Sequence, residues 1–229
     1  PVLVLTDDDN AANRFAADLR GFSERDIVQL PSRELVMADV VGVSRGYEQR
    51  RLAALDELTE AHFAVASVQA AAQRTMPPEA LKAAIVSLVT GETAPLDELA
   101  QSLTRAGYER CVQVEGTGQF SIRGGILDVF PPQAEHPYRV EFWDDEIDSI
   151  STFDVGSQRR LEQCECLRCL PCMESIPALA KGGAAGLAKA VLALTSTRRK
   201  KQHADLQTNL ERDAERLRET GSLPAADKY

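Results

Sequence analysis

Between Gly118 and Ile150 the sequence GQFSIRGGILDVFPPQAEHPYRVEFWDDEIDSI places apolar residues at alternate positions. This period of two constrains the fold more than any other feature of the chain. It predicts three antiparallel strands with short connections. In Pro137–Trp143, Tyr138, Val140 and Phe142 point to a core, while Arg139, Glu141 and Trp143 point to the opposite face. In Gln119–Arg123 the same rule buries Phe120 and Ile122 and turns Gln119, Ser121 and Arg123 outward. A polar face with Arg123, Arg139 and the chain's single tryptophan, Trp143, reads as a docking surface. The alternative is a solvated sheet whose arginines pair with Glu141 or Asp144, with Trp143 covered by a neighbouring helix.

The rest of the chain has a different rhythm. Val2–Thr6, Ile27–Leu30 and Phe63–Val68 read as strands. Helical spacing at Ala11, Ala12, Phe15 and Leu19 ends at Gly21, and residues 46–58 form a second helix. Strands alternating with helices imply a parallel sheet, the architecture of nucleotide-binding domains. Met76-Pro77-Pro78 breaks the pattern and sets a domain boundary. Beyond it come a strand at Ile85–Thr90 and a helix at Pro95–Ala106 with Leu96, Leu99, Leu103 and Ala106 on one face. Helices marked by Val191–Leu194, Leu206, Leu210 and Leu217 follow after the central module. The length of 229 residues accommodates two modest domains. The chain starts on a strand-like run without methionine or a secretory signal and stops without an evident closing element, which suggests a piece of something longer.

Composition excludes several functions. A hydrophobic fraction of 44% and a charged fraction of 27% describe a soluble globular protein, and no apolar run is long enough to span a membrane. The net charge is −9. Residues 77–171 hold 8 Lys/Arg against 16 Asp/Glu, so Arg123 and Arg139 are minority charges in an acidic module. That argues against a nucleic-acid surface as the main purpose. The basic run Arg198–Lys201 reads as a solvated helix end.

Catalytic and metal motifs are missing. No G-x-x-x-x-G-K-[ST] loop occurs, and Gly182–Gly186 follows no strand, so it reads as a flexible helix start. Asp7-Asp8-Asp9 reads as solvated carboxylates stabilised at a helix N-terminus. His62, His136 and His203 lie far apart without ligand-spaced neighbours. Cys164, Cys166, Cys169 and Cys172 have the density of a thiolate cluster. One strand cannot easily wrap four ligands around an ion, however, and in a reducing cytosol such cysteines act as small apolar residues.

The stretch GYERCVQVEGTGQFSIRGGILDVFPP followed by PYRVEFWDDEIDSISTFDVGSQRRLE resembles a module shared by the excision-repair protein UvrB and the transcription-repair coupling factors. The elements are R-G-x-[IL]-[LV]-D-[VL]-F-P, Y-R-[VL]-[DE]-F, D-[DE]-E-I-D-S and FD-x-x-[ST]-QR. The resemblance is closest over Ala106–Leu161 and extends more loosely over most of the chain. UvrB has a phosphate-binding loop and a tyrosine-rich hairpin, whereas LPSRELVMADVVGVSRGYEQRRL has one tyrosine and no Walker lysine accompanies it. The resemblance therefore favours the N-terminal UvrB-like region of a bacterial coupling factor, the alternative being part of a UvrB-type excision-repair helicase lacking its P-loop.

The resemblance implies an α/β fold: a degenerate helicase-like (RecA/Rossmann-like) parallel-sheet domain with an inserted α+β domain containing an antiparallel sheet. The expected organisation is 1–76 as part of the degenerate domain, 77–171 as the UvrA-binding domain and 172–229 as the start of a further domain. It implies UvrA as partner, contacted through Arg123, Arg139 and Trp143, the last in place of the family's usual phenylalanine. The implied role is a non-catalytic adaptor that recruits UvrA to stalled RNA polymerase for nucleotide excision repair. No cofactor or metal is expected in this stretch. ATP and magnesium, RNA polymerase and DNA would engage other domains of the full-length protein. The expected location is the bacterial cytoplasm, and the docking face is expected to be masked in the intact protein.

Overall fold

A computed structural model describes residues 1–33, 46–196, 204–221 and 223. The Arg198–Lys201 run, His203 and residues 34–45 of the tyrosine-poor stretch lie outside the described residues. Contacts divide the chain into two compact units, one holding the described residues through Glu174 and the other those from Ser175 onward.

The first unit opens with β1 (Val2–Thr6), α1 (Asp9–Phe22), β2 (Ile27–Leu30), α2 (Gly46–Glu57), β3 (Phe63–Ser67) and α3 (Val68–Ala72). The three strands form a parallel sheet in the order β1-β3-β2. Ala12 and Ala16 of α1 pack with Val65 against one face. Ala54 and Ala70 pack with Val28, Leu30 and Ala66 against the other. Helix α1 runs through Gly21 to Phe22 rather than stopping at the glycine, because Ser23 is the residue that turns extended. Glycine inside a last turn costs only part of a kcal/mol, about 0.5–1, and does not force a stop.

Two of the aspartates at the start of α1, Asp8 and Asp9, divide their work. Asp8 caps the helix through its Oδ1, which accepts from Ala11 N at 2.7 Å. Asp9 is not a solvated carboxylate. It accepts from Ser32 N and Oγ at 2.9 and 2.6 Å and from Ser67 Oγ at 2.5 Å. Its side chain thereby joins the ends of β2 and β3. Burial pushes the Asp9 carboxyl up, but the hydrogen bonds from Ser32 and Ser67 outweigh it and hold the group below its ordinary value.

Next come α4 (Pro78–Ala84), β4 (Val86–Val89) and α5 (Leu96–Arg105), followed by β5 (Glu109–Arg110), β6 (Gln119–Arg123), β7 (Ile126–Val129), β8 (Tyr138–Trp143), β9 (Glu146–Phe153), β10 (Arg160–Cys164) and β11 (Cys166–Cys169). Strands β5 to β10 form a six-stranded sheet in the order β10-β9-β8-β7-β6-β5, antiparallel except for the β5–β6 pair. Gly118–Ile150 therefore contributes four strands rather than three. The additional strand arises at Gly124-Gly125, where Gly124 takes φ +60° and folds QFSIR back on ILDV.

Register aligns Ile122, Leu127, Val140, Ile150 and Cys164 across this sheet. This row faces the core, where Leu99, Leu103 and Ala106 pack from α5 and its C-cap, and Val86, Leu88 and Leu167 pack from the β4–β11 pair. Burying each large aliphatic or aromatic side chain here contributes about 1.5–3 kcal/mol. The helix face foreseen from Leu96, Leu99, Leu103 and Ala106 is the one in contact.

The cysteine run is not one strand. Cys164 ends β10 in the large sheet, whereas Cys166 opens β11 in the two-stranded one. Cys169 and Cys172 are buried in the core with Tyr108, whose hydroxyl donates to Leu170 O at 2.7 Å. Burial pushes the Cys169 thiol up to about 12. Among the described residues no three His, Cys, Asp or Glu side chains converge as metal ligands. None of the described helices is long and apolar enough to cross a membrane.

The second unit has a short 3-10 turn at Pro177–Leu179, then α6 (Gly183–Ser196) and α7 (Ala204–Thr220). The two helices meet through Ala188, Val191, Leu210, Ala214 and Leu217. The Gly182–Gly186 run leads into α6, as its sequence suggested.

Candidate docking site

The polar face of the six-stranded sheet is organised by register. One row across it reads Ser121, Asp128, Arg139, Ser151 and Gln163. Asp128 lies between its two neighbours with only 1% of its surface exposed. A carboxylate taken that far out of water needs charged partners, and it has two. Arg139 donates from Nε to Oδ1 at 2.7 Å and from Nη2 to Oδ2 at 2.9 Å. Arg123 donates from Nη2 to Oδ2 at 2.6 Å. The first is a bidentate, charge-assisted pair, the geometry for which guanidinium is suited.

Arg139 has two further supports. Its Cζ lies 4.5 Å from the centre of the Phe153 ring, a cation–π contact. Its Nη2 also donates to Gln158 Oε1 at 3.2 Å. Gln158 occupies a turn at φ +58°, stabilised by Asp154, whose Oδ1 accepts from Ser157 N and Oγ at 2.8 and 2.7 Å. The hydrogen bonds from Arg139 to Asp128 raise its guanidinium above the ordinary value. Asp128, Phe153 and Gln158 come from separate sequence elements and converge on the Arg139 guanidinium.

Arg123 ends β6 immediately before the Gly124-Gly125 turn, and 49% of its side chain is exposed against 19% for Arg139. The turn lies close to β8: Gly125 O accepts from Phe142 N at 2.8 Å, and a Cβ on Gly125 would meet Phe142 O at 3.0 Å. Trp143 ends β8, opposite Glu146, with Asp144 at φ +57° in the two-residue turn. Pairing shifts between Glu141 and Phe142, so β9 carries an extra residue there. The bulge leaves β8 itself unbroken, and Arg139, Glu141 and Trp143 keep one face. Trp143 is 81% exposed and is not covered by α5.

The structure joins Arg123 and Arg139 through a shared carboxylate and places Trp143 further along the same face of β8. The arginines do not pair with Glu141 or Asp144. Glu141 instead accepts from Ser149 Oγ at 2.8 Å and pairs with Arg160 at 2.8 Å. These two bonds, Ser149 first, hold its carboxyl below the ordinary value. Ser121 is on the polar face as expected but is buried, with its Oγ donating to Val112 O at 2.9 Å.

Sequence reasoning missed Asp128, Phe153, Gln158 and Arg160 as parts of this face. A signal for Asp128 was present. In Ile126-Leu127-Asp128-Val129 the alternation that buries Leu127 and Val129 puts a lone carboxylate on the face that holds the two arginines.

Residues 86–174 match the family model described as the UvrB interaction domain. This range begins at the first residue of β4 and includes the whole six-stranded sheet. The chain is 34% identical to a Bacillus subtilis transcription-repair-coupling factor over 239 aligned residues, covering 100% of this chain and 20% of the relative. It is 32% identical to the Escherichia coli transcription-repair-coupling factor, covering 76% of this chain and 15% of the relative. To the UvrABC system protein B of Kosmotoga olearia it is 27% identical, over 64% of this chain and 22% of the relative. The chain thus spans no more than about a fifth of the first of these relatives.

Proposed function

The chain is homologous to the N-terminal, UvrB-like region of the transcription-repair-coupling factors, and we propose that it is the adaptor through which such a protein recruits UvrA. The observation that carries this reading is the Arg123–Asp128–Arg139 cluster, with exposed Trp143 on the same face of a sheet inside the matched domain. Arginine and tryptophan are the residue types enriched at interface hot spots. An arginine already held in its bonding geometry loses little freedom on docking.

In this proposal the chain itself carries out no chemistry. Residues 1–76 are a degenerate helicase-like domain whose parallel sheet is a scaffold, residues 77–171 bind UvrA, and residues 172–229 begin a further domain. ATP hydrolysis with magnesium, translocation on DNA and engagement of stalled RNA polymerase belong to other parts of the full-length protein. The setting is nucleotide excision repair in the bacterial cytoplasm, with UvrA the direct partner of this region. The higher identity and wider coverage with the coupling factors than with the UvrABC system protein B support this over a UvrB-type helicase.

The test is co-purification of the chain with UvrA together with an ATPase assay on the chain alone. The reading predicts a complex and no hydrolysis. Failure to capture UvrA at micromolar concentrations, or ATP turnover by the isolated chain, would count against it.

A further inference from the structure

We infer that Asp128 is a positioning residue that makes Arg123 and Arg139 act as a single unit in docking, an inference that rests on the docking role proposed above. With 1% of its surface exposed, Asp128 is too buried to serve as a contact itself. Both its oxygens are committed, Oδ1 to Arg139 and Oδ2 to Arg139 and Arg123 together. Two guanidinium groups brought to one site repel each other, and the carboxylate between them offsets that repulsion. Two arginines and one aspartate give the group a formal charge of about +1.

The remaining geometry fits the same role. Arg139 is held from three directions, by Asp128 on β7, by the Phe153 ring on β9 and by Gln158 in the turn after β9. Its Nη1, and the Nε and Nη1 of Arg123, hydrogen-bond to none of the described residues. These N–H groups are donors left for an acceptor on the partner, and a carboxylate matches both their geometry and the residual positive charge. Asp128 fixes where those donors stand. Without it, two long side chains would have to be ordered at the moment of binding.

The test is a mutant cycle on UvrA affinity, using the whole chain as D128N, as R123A/R139A and as the triple variant. D128N keeps the shape and one acceptor but removes the charge. It is expected to weaken binding about tenfold while retaining a cooperative thermal melt. Added to R123A/R139A it is expected to cost nothing more, because its effect passes through the arginines. Wild-type affinity in D128N, or a loss that adds in full to that of the arginine variant, would overturn the inference.

Two further measurements keep the outcome decisive. If D128N does not fold, R123A and R139A measured singly and together test the same coupling. The double variant is expected to lose less affinity than the two single losses combined, and full additivity overturns the inference. If the unaltered chain does not bind UvrA at all, the docking reading fails. Positioning is then decided by NMR hydrogen exchange at the Arg139 Nε–H, protected in the unaltered chain and exposed in D128N, with equal protection in both overturning it.

Discussion

The guanidinium of Arg139 grips the carboxylate of Asp128 through two parallel hydrogen bonds of 2.7 and 2.9 Å. The two residues are direct cross-strand neighbours on β8 and β7. The pair explains why an arginine in an acidic module sits in one geometry, and the first prediction depends on it.

Replacing Arg139 by alanine is expected to reduce UvrA affinity by about 1–3 kcal/mol, the range for a charged hydrogen bond at an interface. It also removes the bidentate partner of a buried carboxylate, so the melting temperature falls while the domain remains folded on its remaining Arg123 contact. Lysine at this position should recover little, because a single ammonium cannot reproduce the fork. Calorimetric titration with UvrA and a thermal melt of each variant check both statements.

Trp143 separates binding from stability. It is 81% exposed, so Trp143→Ala is expected to change folding free energy by less than about 0.5 kcal/mol. The same substitution is expected to cost more than about 1 kcal/mol of UvrA affinity. Trp143→Phe should bind nearly as well as the unaltered chain. Urea denaturation and titration on the same preparations measure the two effects, and loss of stability equal to loss of affinity would contradict the assignment.

Gly125→Ala tests the approach of the β6–β7 turn to β8. The added methyl would meet the Phe142 carbonyl oxygen at 3.0 Å, tighter than ordinary contact. Backbone is less able to yield than a side chain, and a loss of about 1–3 kcal/mol is expected in denaturant unfolding. A neutral effect would mean that the turn moves freely.

Glu141 gives a pH dependence of defined sign. Its folded-state carboxyl is held below the ordinary 4.5 by Ser149 and Arg160. The stability it contributes is therefore fully present above that ordinary value and is lost as pH falls through the lower, folded-state value. Compared with Glu141→Gln, the unaltered chain should lose additional stability only below pH 4.5. Thermal melts between neutral pH and strong acid test this; an equal difference at all pH values would contradict it.

The cysteines should react in the order of their burial. Cys166 is exposed, whereas Cys169 and Cys172 are buried, and the Cys169 thiol is pushed up to about 12. Iodoacetamide at mildly alkaline pH is expected to label Cys166 well before either buried residue, as read by peptide mass spectrometry. Elemental analysis of the reduced protein is expected to find no stoichiometric zinc or iron.

Local pattern carried much of the architecture. The alternation in Tyr138–Trp143 correctly separated Val140 from Arg139, and helical spacing located α2 and α5 closely. The errors have physical causes. Gly21 was read as a stop, yet glycine weakens a helix without ending it. The Gly124-Gly125 turn was too short to stand out between two apolar runs, so one strand was missed. Asp9 was read as solvated because its partners, Ser32 and Ser67, are distant in sequence.

The candidate docking face was legible only in part. The pleat and the motif single out Arg123, Arg139 and Trp143 as its proposed residues, but a pleat cannot reveal that both arginines share Asp128. Nor does sequence spacing bring Phe153 and Gln158 to Arg139, since that depends on the cross-strand register and on the turn after β9. The cysteine run misled for a related reason. Cys164 lies in one sheet and Cys166 and Cys169 in another, a change of partner at Glu165 that local composition does not encode, and Cys172 lies beyond both.

The most direct test of UvrA docking through this face is the affinity of UvrA for the chain carrying Arg123→Ala and Arg139→Ala together, with circular dichroism confirming that the variant is folded. The account predicts binding weakened at least about tenfold relative to the unaltered chain. A folded double variant that binds UvrA as tightly as the unaltered chain would contradict it.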